Sequence, residues 1–311
     1  RDKDINPISY SSKYDEYVMR TMTNYWSNHE GLEQTQLNYS FSGKATDLVK
    51  SINSDGTPVI EEKDITFDNG YDLQRQAGKL HALNFLQNIV CGEAQNYVSA
   101  STHTGAQSNF VESKHYGKPF AMLVDGSWWE NEAVEAFTSL ERGNFERSDY
   151  RIMPIPHVDD SHIGNKQTLL SQNSSYGVVA KNSQNLELAL KFMQFLHTDK
   201  QLSAFTAETS VTRALNYDVT EEDTSKVTTY GYSLIDLKKN NNIVYPYSSL
   251  TQVINNADRF SNDTWAWSSS IDGMTYNDPF KYFTQTTAPD YQKYFNGIFD
   301  YYNASWSNIN R

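Results

Sequence analysis

The chain has 311 residues, enough for one large core or two lobes of ordinary domain size. Hydrophobic residues make up 38% and charged residues 21%, which excludes a disordered tail or a coiled coil. The net charge of −12 and a pI near 5.0 disfavour binding to a phosphate backbone, so no nucleic-acid partner is expected. A lone cysteine, Cys91, excludes an internal disulfide framework. No apolar run approaches the ~18 residues of a membrane span, and the chain opens Arg1-Asp2-Lys3-Asp4 with no leader or initiator Met, as a processed or trimmed product would.

Ile5-Asn-Pro-Ile8 reads as a short extended segment. Helical periodicity then runs from Ser12 to Trp26, with Tyr14, Tyr17, Val18, Met22 and Tyr25 on one face and Ser12 and Asp15 as a capping-box-like start. Ala45–Ile52 is predicted as a second helix, stopped by the Asn53-Ser-Asp-Gly56 turn and Pro58. A third runs from Tyr71 to Val90, through Leu73, Ala77, Leu80, Leu83 and Leu86; Gly78 weakens it and Gly92 ends it.

Phe120–Val124 is a continuous apolar run between Lys118-Pro119 and Asp125-Gly126, the pattern of a strand buried on both faces. A helix is predicted from Trp128 to Leu140. Two prolines keep Arg151–Pro156 extended, and Ser175–Ala180 reads as another strand. Ser183 is placed as the N-cap of a helix to His197, with Leu186, Ala189, Leu190, Met193 and Leu196 inward. On that reading Leu190→Ala costs about 2–5 kcal/mol. Short helices follow near Glu221–Asp223, Ser248–Asn256 and Tyr276–Thr284, and a last one spans Pro289–Tyr302. Strands in the middle and helices at both ends indicate a mixed α/β class.

Nucleotide-binding, zincin and serine-hydrolase motifs are absent. Cys91 reads as a small buried hydrophobe. Of seven histidines only His157 and His162 lie close in sequence, around Asp159 and Asp160. That set suits a divalent transition metal, but its place after a proline-rich strand reads as a solvated loop, and no metal or cofactor is expected. Asp68-Asn-Gly-Tyr-Asp72 lacks the later Glu of a calcium loop, so Asp68 or Asn69 reads as a helix cap. A carboxylate pair of glycosidase type would start from Asp125 and Glu130, which flank the indoles of Trp128 and Trp129. Those indoles, at a strand-to-helix turn, either line a cleft or plug the core.

Three blocks carry a resemblance. Gly117-Lys-Pro-Phe-Ala-Met-Leu-Val-Asp-Gly-Ser-Trp128, Met153-Pro-Ile-Pro156 and the segment from Ser175 to Leu196, followed by Thr198-Asp-Lys-Gln201, occur in order over about eighty residues. Together they resemble the family 1 extracellular solute-binding proteins of ABC importers, the carbohydrate-binding group that includes maltose-binding protein. The resemblance implies an α/β, periplasmic-binding-protein-like (type II) two-lobed fold that closes on its ligand by a hinge, and a binding rather than catalytic role. The family's earlier stretch, most of its first lobe, has no counterpart before Ile5. The chain then maps as the C-terminal lobe (residues 1–170 and 216–311) with a segment of the N-terminal lobe and hinge (171–215).

The implied ligand is a sugar or oligosaccharide, the implied partner is the ABC permease, and the implied setting is extracellular, with a lipid anchor upstream. Trp128 corresponds to the family's sugar-stacking aromatic, with Trp129 beside it. Tyr10 and Tyr14, and Trp265 and Trp267, either share the cleft or pack structurally. Asn173 and Ser174 either bond sugar hydroxyls or are plain loop residues. The alternatives are a secreted glycoside hydrolase or lyase using Asp125 or Glu130, and a sugar-sensing or adhesive domain on the same fold.

Overall fold

A computed structural model describes residues 5–14, 16–94, 102–158, 162–171, 177–246, 250–256, 260 and 267–309. The chain is mixed α/β, with strands paired two by two and helices packed around them. In order it forms β1 (Asn6–Ser9), α1 (Glu16–Ser40), β2 (Gly43–Ile52), β3 (Pro58–Ile65), a 3-10 helix (Phe67–Arg75), α2 (Ala77–Phe85) and a π-helical stretch (Leu86–Ala94). Then come α3 (His103–Tyr116), β4 (Phe120–Leu123), α4 (Trp129–Glu132), α5 (Val134–Arg142), β5 (Thr168–Leu170), α6 (Leu186–Leu196) and α7 (Asp199–Thr209). The chain closes with α8 (Glu221–Thr224), α9 (Thr229–Asn240), β6 (Asn242–Val244), α10 (Thr251–Asn255), β7 (Ser269–Ile271), β8 (Met274–Tyr276), α11 (Pro279–Gln285) and α12 (Tyr291–Ser305). No described helix is long and apolar enough to cross a membrane.

The main core forms where α1, α2 and α12 meet. Met22 and Trp26 from α1 pack with Leu80 and Leu83 from α2, and with Phe295 and Ile298 from α12. Gly78, which sequence propensity marks as a weak point, sits where α1 and α2 approach most closely. A Cβ there would lie 2.8 Å from the Trp26 carbonyl oxygen and 2.9 Å from Glu30 Oε1. Its N–H donates to that same Glu30 oxygen at 2.8 Å. Burial pushes the Glu30 carboxyl well above its ordinary range, and it pushes the Lys79 ammonium down to about 7.

The first helix is longer than its apolar period, and Gly31 breaks it with a left-handed φ of 78° that a side chain would strain. Its polar side is buried for a reason. Asn24 and Asn28 accept the Leu170 and Thr168 N–H groups at 2.9 and 3.2 Å, and Ser27 donates to the Thr168 carbonyl at 2.9 Å. One edge of β5 is thus satisfied by α1 side chains, while the other pairs in parallel with β6.

Several sequence expectations are corrected. Residues 45–52 form a strand, not a helix, and the 53–56 turn closes a hairpin to β3. The ladder shifts register between Ala45 and Leu48 and again between Val49 and Ser51, so the buried set is Ala45, Leu48 and Val49. Those two bulges give a strand the three-to-four spacing of a helix. The helix expected over 71–90 is broken at Gln76, whose backbone is extended (φ −58°, ψ 134°) and bridges to Leu48. The Gln76 amide is held by Trp26 Nε1, Asn38 Nδ2 and the Gln34 carbonyl. β4 is only partly buried, because among the described residues it pairs with β1 alone. His157 does not sit in a solvated loop; its ring bonds Asn28 at 3.3 Å and Gln167 at 3.2 Å. The expected strand at 175–180 falls partly outside the described residues, and 177–180 form none.

The helix after Ser183 forms as α6, but among the described residues little covers its expected inward face, where Met193 reaches Gly177. None of its residues is buried, and Leu188, Leu190, Phe192 and Phe195 are each about half exposed or more. Only Glu187, Lys191 and Gln194 are polar, and they share one stripe. Leu190→Ala is therefore expected to change stability by less than about 0.5 kcal/mol, not by the cost of a core leucine. A urea titration showing a loss above ~2 kcal/mol would mean that the face is covered.

Candidate functional site

β1 and β4 run in parallel, Asn6 opposite Phe120 and Ser9 opposite Leu123, and the Val124 N–H extends the pairing to the Ser9 carbonyl at 2.9 Å. Both strands therefore end on the same side, and the loops that follow them meet there, the usual place for a ligand in an open α/β sheet. The first loop delivers Tyr10, Tyr14 and the start of α1. The second delivers Asp125, Gly126 and Trp128. The start of α3, N-capped by Thr102, which accepts the Gly105 N–H at 3.1 Å, brings in His103 and Gln107.

Gln107 is almost wholly buried and organises the carboxylates. Its Nε2 donates to Asp125 Oδ2 at 2.9 Å and to Glu132 Oε2 at 3.1 Å, while its Oε1 is buried with no hydrogen-bond partner. Asp125 also accepts the Gly126 N–H at 2.6 Å. Burial pushes the Asp125 carboxyl up to about 6, and Glu132 adds to the rise; the bonds from Gln107 and Gly126 and the nearby His103 act against it. His103 Nε2 lies 4.0 Å from Glu132 Oε2. The Tyr14 ring meets the His103 ring edge to face at 5.4 Å and the Tyr17 ring at 6.4 Å. Burial pushes the Tyr17 phenol up to about 12, with Asp125 and Glu132 adding to it.

The two indoles part company. Trp129 is buried, edge-on to Phe110, Tyr150 and Tyr230, in a second core with Val111, Phe137 and Leu140. Trp128 stays partly exposed at the start of α4, its ring folded back over Gly126 so closely that any Cβ there would overlap the indole. A glycine at 126 is what lets the ring lie over the backbone there. Glu130 is committed elsewhere, to Arg147 at 2.5 Å and the Thr228 hydroxyl at 2.7 Å. The carboxylate that accompanies Asp125 is thus Glu132.

Of the other sequence candidates, Tyr10 and Trp267 are core residues, not cleft residues. Tyr10 is 1% exposed and packs edge-on against Phe280, and Trp267 is fully buried with its Nε1 donating to Thr23 Oγ1 at 2.9 Å. Trp265, Asn173 and Ser174 lie outside the described residues. Tyr14 and Trp128 remain at the site. Reading the residues alone missed Tyr17, His103, Gln107 and Glu132, which no local motif singles out; they converge because α3 packs across β1 and β4. An open depression of about 240 Å³ on α3, lined by Ser108, Glu112 and Tyr116, contains none of these groups.

The arrangement offers carboxylate acceptors, an amide and an imidazole, flanked by partly exposed aromatic rings. Chemically, such a set can accept hydrogen bonds from hydroxyl groups and offer ring faces to C–H groups. In comparisons with known proteins the chain matches no family model, no curated protein and no solved structure.

Proposed function

We propose that the chain is the larger part of an extracytoplasmic solute-binding protein of an ABC importer. It would hold a carbohydrate, of oligosaccharide size, against Tyr14 and Trp128 and hand it to a membrane permease. The observation that carries this reading is the grouping of two partly exposed aromatic side chains with the Asp125–Gln107–Glu132 set at the carboxyl ends of β1 and β4. Under this reading the fold is the type II two-lobed one, with 1–170 and 216–311 in the C-terminal lobe and 171–215 in the other. The protein would work outside the cell, anchored by lipid. The uncovered apolar faces of α6 support a second lobe, because a helix apolar on three sides is normally buried in a core.

Trp128→Ala tests the site. The indole is partly exposed and rests on Gly126, so its removal is expected to leave the melting temperature of the unliganded chain within a few degrees. Affinity for an oligosaccharide, read by calorimetry, should fall ten- to a hundredfold, about 1.4–2.7 kcal/mol. A large loss of stability with unchanged affinity would make Trp128 a packing residue and remove the aromatic wall from the account.

A second reading rests on one specific observation, the raised Asp125 carboxyl beside Glu132. A carboxyl whose proton is held by burial, with a second carboxyl beside it, is the kind of pair a glycoside hydrolase uses. Release of reducing ends from an oligosaccharide, abolished in both Asp125→Asn and Glu132→Gln, would favour that reading over binding alone.

A further inference from the structure

Four segments far apart in sequence bring their histidines and carboxylates to one place, away from the aromatic site. His29 and Glu30 close the first half of α1, just before the break at Gly31. Asp47 comes from β2, His81 from α2, and His162 from the loop that precedes β5. His29 Nε2 lies 3.0 Å from Asp47 Oδ2, and one ligand atom from each of His29, Glu30 and Asp47 lies within 4.8 Å of the others. The His29 ring centroid is 4.8 Å from that of His81 and 5.2 Å from that of His162, and the His157 ring stacks a further 6.1 Å beyond His162.

A further observation points to a ligand. Glu30, buried beside His29 and Asp47, spends Oε1 on the Gly78 N–H at 2.8 Å, but its buried Oε2 has no hydrogen-bond partner. An unsatisfied buried carboxylate oxygen in such a cluster is costly unless something binds there. The ring spacing is compatible with a metal ion between two imidazoles. Two imidazoles on one tetrahedral zinc, at a Zn–N bond of about 2.1 Å, place their centroids roughly 5 Å apart. Both distances from His29 match that figure. Imidazole nitrogen with carboxylate oxygen is a donor set for zinc and its first-row neighbours, not for magnesium or calcium.

We propose that His29, Glu30 and Asp47, with one of the neighbouring imidazoles, His81 or His162, as the fourth donor, form a binding site for a divalent transition metal of the zinc type. The ion would be structural, since four segments of the chain surround it. It would tie His162, whose ring lies next to that of His157, to α1, α2 and β2, adding to the bond His157 makes with Asn28. The buried Lys79 does not compete for the position, because its ammonium bonds Gln74 Oε1 at 2.8 Å and lies 4.7 Å over the Trp26 ring. This site is independent of the carbohydrate reading.

The test uses the untagged chain, stripped with a chelator and titrated with Zn²⁺ by calorimetry and with Co²⁺ by visible absorption. One equivalent of each ion should bind. Cobalt should give the intense ligand-field bands of tetrahedral coordination, and zinc should raise the melting temperature. Asp47→Asn and the double variant His81→Gln/His162→Gln should each weaken zinc at least tenfold. Because Asp47→Asn also removes a bond to His29, the double variant decides if that protein does not fold. A chain that binds neither ion, or binds zinc equally well in both folded variants, or prefers Mg²⁺ or Ca²⁺, would overturn the proposal.

Discussion

Trp26→Ala is expected to destabilise the chain by about 3–5 kcal/mol, a large part of the ~5–15 kcal/mol that holds an ordinary domain together. The indole is fully buried in the main core at the crossing of α1 and α2. Its Nε1 donates to Gln76 Oε1 at 3.2 Å, and the fully buried Lys79 places its ammonium over the ring. Alanine would leave a cavity of indole size and strip the cation of the aromatic face it rests on. Gln76 keeps its bond from Asn38 at 2.9 Å, so the break between the 3-10 helix and α2 should survive. Trp26→Phe, which keeps most of the apolar area, should cost markedly less. Urea unfolding of the three proteins measures this, and a Trp26→Ala cost below ~1 kcal/mol would contradict the packing of α1 on α2.

The second large effect is electrostatic. Asp125 holds its proton up to about 6 in the folded chain, against an ordinary value of 3.8, because burial penalises the ionised form. Between these values the folded protein binds the proton and the unfolded chain does not. Stability therefore falls as pH rises from about 4 to about 6, and above that the full penalty of the buried carboxylate is present. A two-unit shift corresponds to at most about 3 kcal/mol, reduced by the part of the side chain that solvent still reaches. The bonds from Gln107 and the Gly126 N–H, with Glu132 and His103 nearby, act on the same carboxyl, which in turn raises the Tyr17 phenol. Asp125→Asn should flatten this pH dependence and stabilise the unliganded chain at pH 7. It should also weaken a ligand whose hydroxyls donate to the carboxylate. Melting curves between pH 4 and 8 check the first effect, and an unchanged slope in the variant would mean that Asp125 is solvated and ionised throughout.

The fold was legible where local chemistry and tertiary context agree. Asp290, just after Pro289, caps α12 by accepting the Gln292 and Lys293 N–H groups, and the spaced Phe295, Ile298 and Tyr302 lie inward as their period demands. Reading failed where one pattern serves two structures. Ala45, Leu48 and Val49 carry a helical spacing that two bulges make equally suitable for β2. Gln76 interrupts an otherwise continuous helical period because its amide is claimed by α1, a contact between segments about forty residues apart. In α6 the apolar period was read correctly and the helix forms, but periodicity says which face wants burial and not what covers it.

The site was legible in its strand-to-helix turn and in Trp128, because Asp125-Gly126 after an apolar run is a local signal. The division of labour between Trp128 and Trp129 was not, since adjacent residues on a short helix point apart and only packing decides which one enters the core. Gln107, Glu132 and His103 were silent for the same reason, as was the His29–Asp47–His81–His162 group. Each depends on contacts between distant segments, and no spacing along the chain announces them.

On the proposed function, the face formed by Tyr14, Trp128 and the Asp125–Gln107–Glu132 set binds a carbohydrate without transforming it. The most direct measurement is a thermal-shift screen of the chain against a panel of oligosaccharides, with the sugar recovered and analysed afterwards. At least one oligosaccharide is expected to stabilise the chain, by about 2.7 kcal/mol at a hundredfold excess over its Kd; Trp128→Ala should cut that to about 0.4–1.4 kcal/mol, and the sugar should be recovered intact. No shift with any sugar, a shift that Trp128→Ala leaves unchanged, or recovery of cleaved sugar would contradict it.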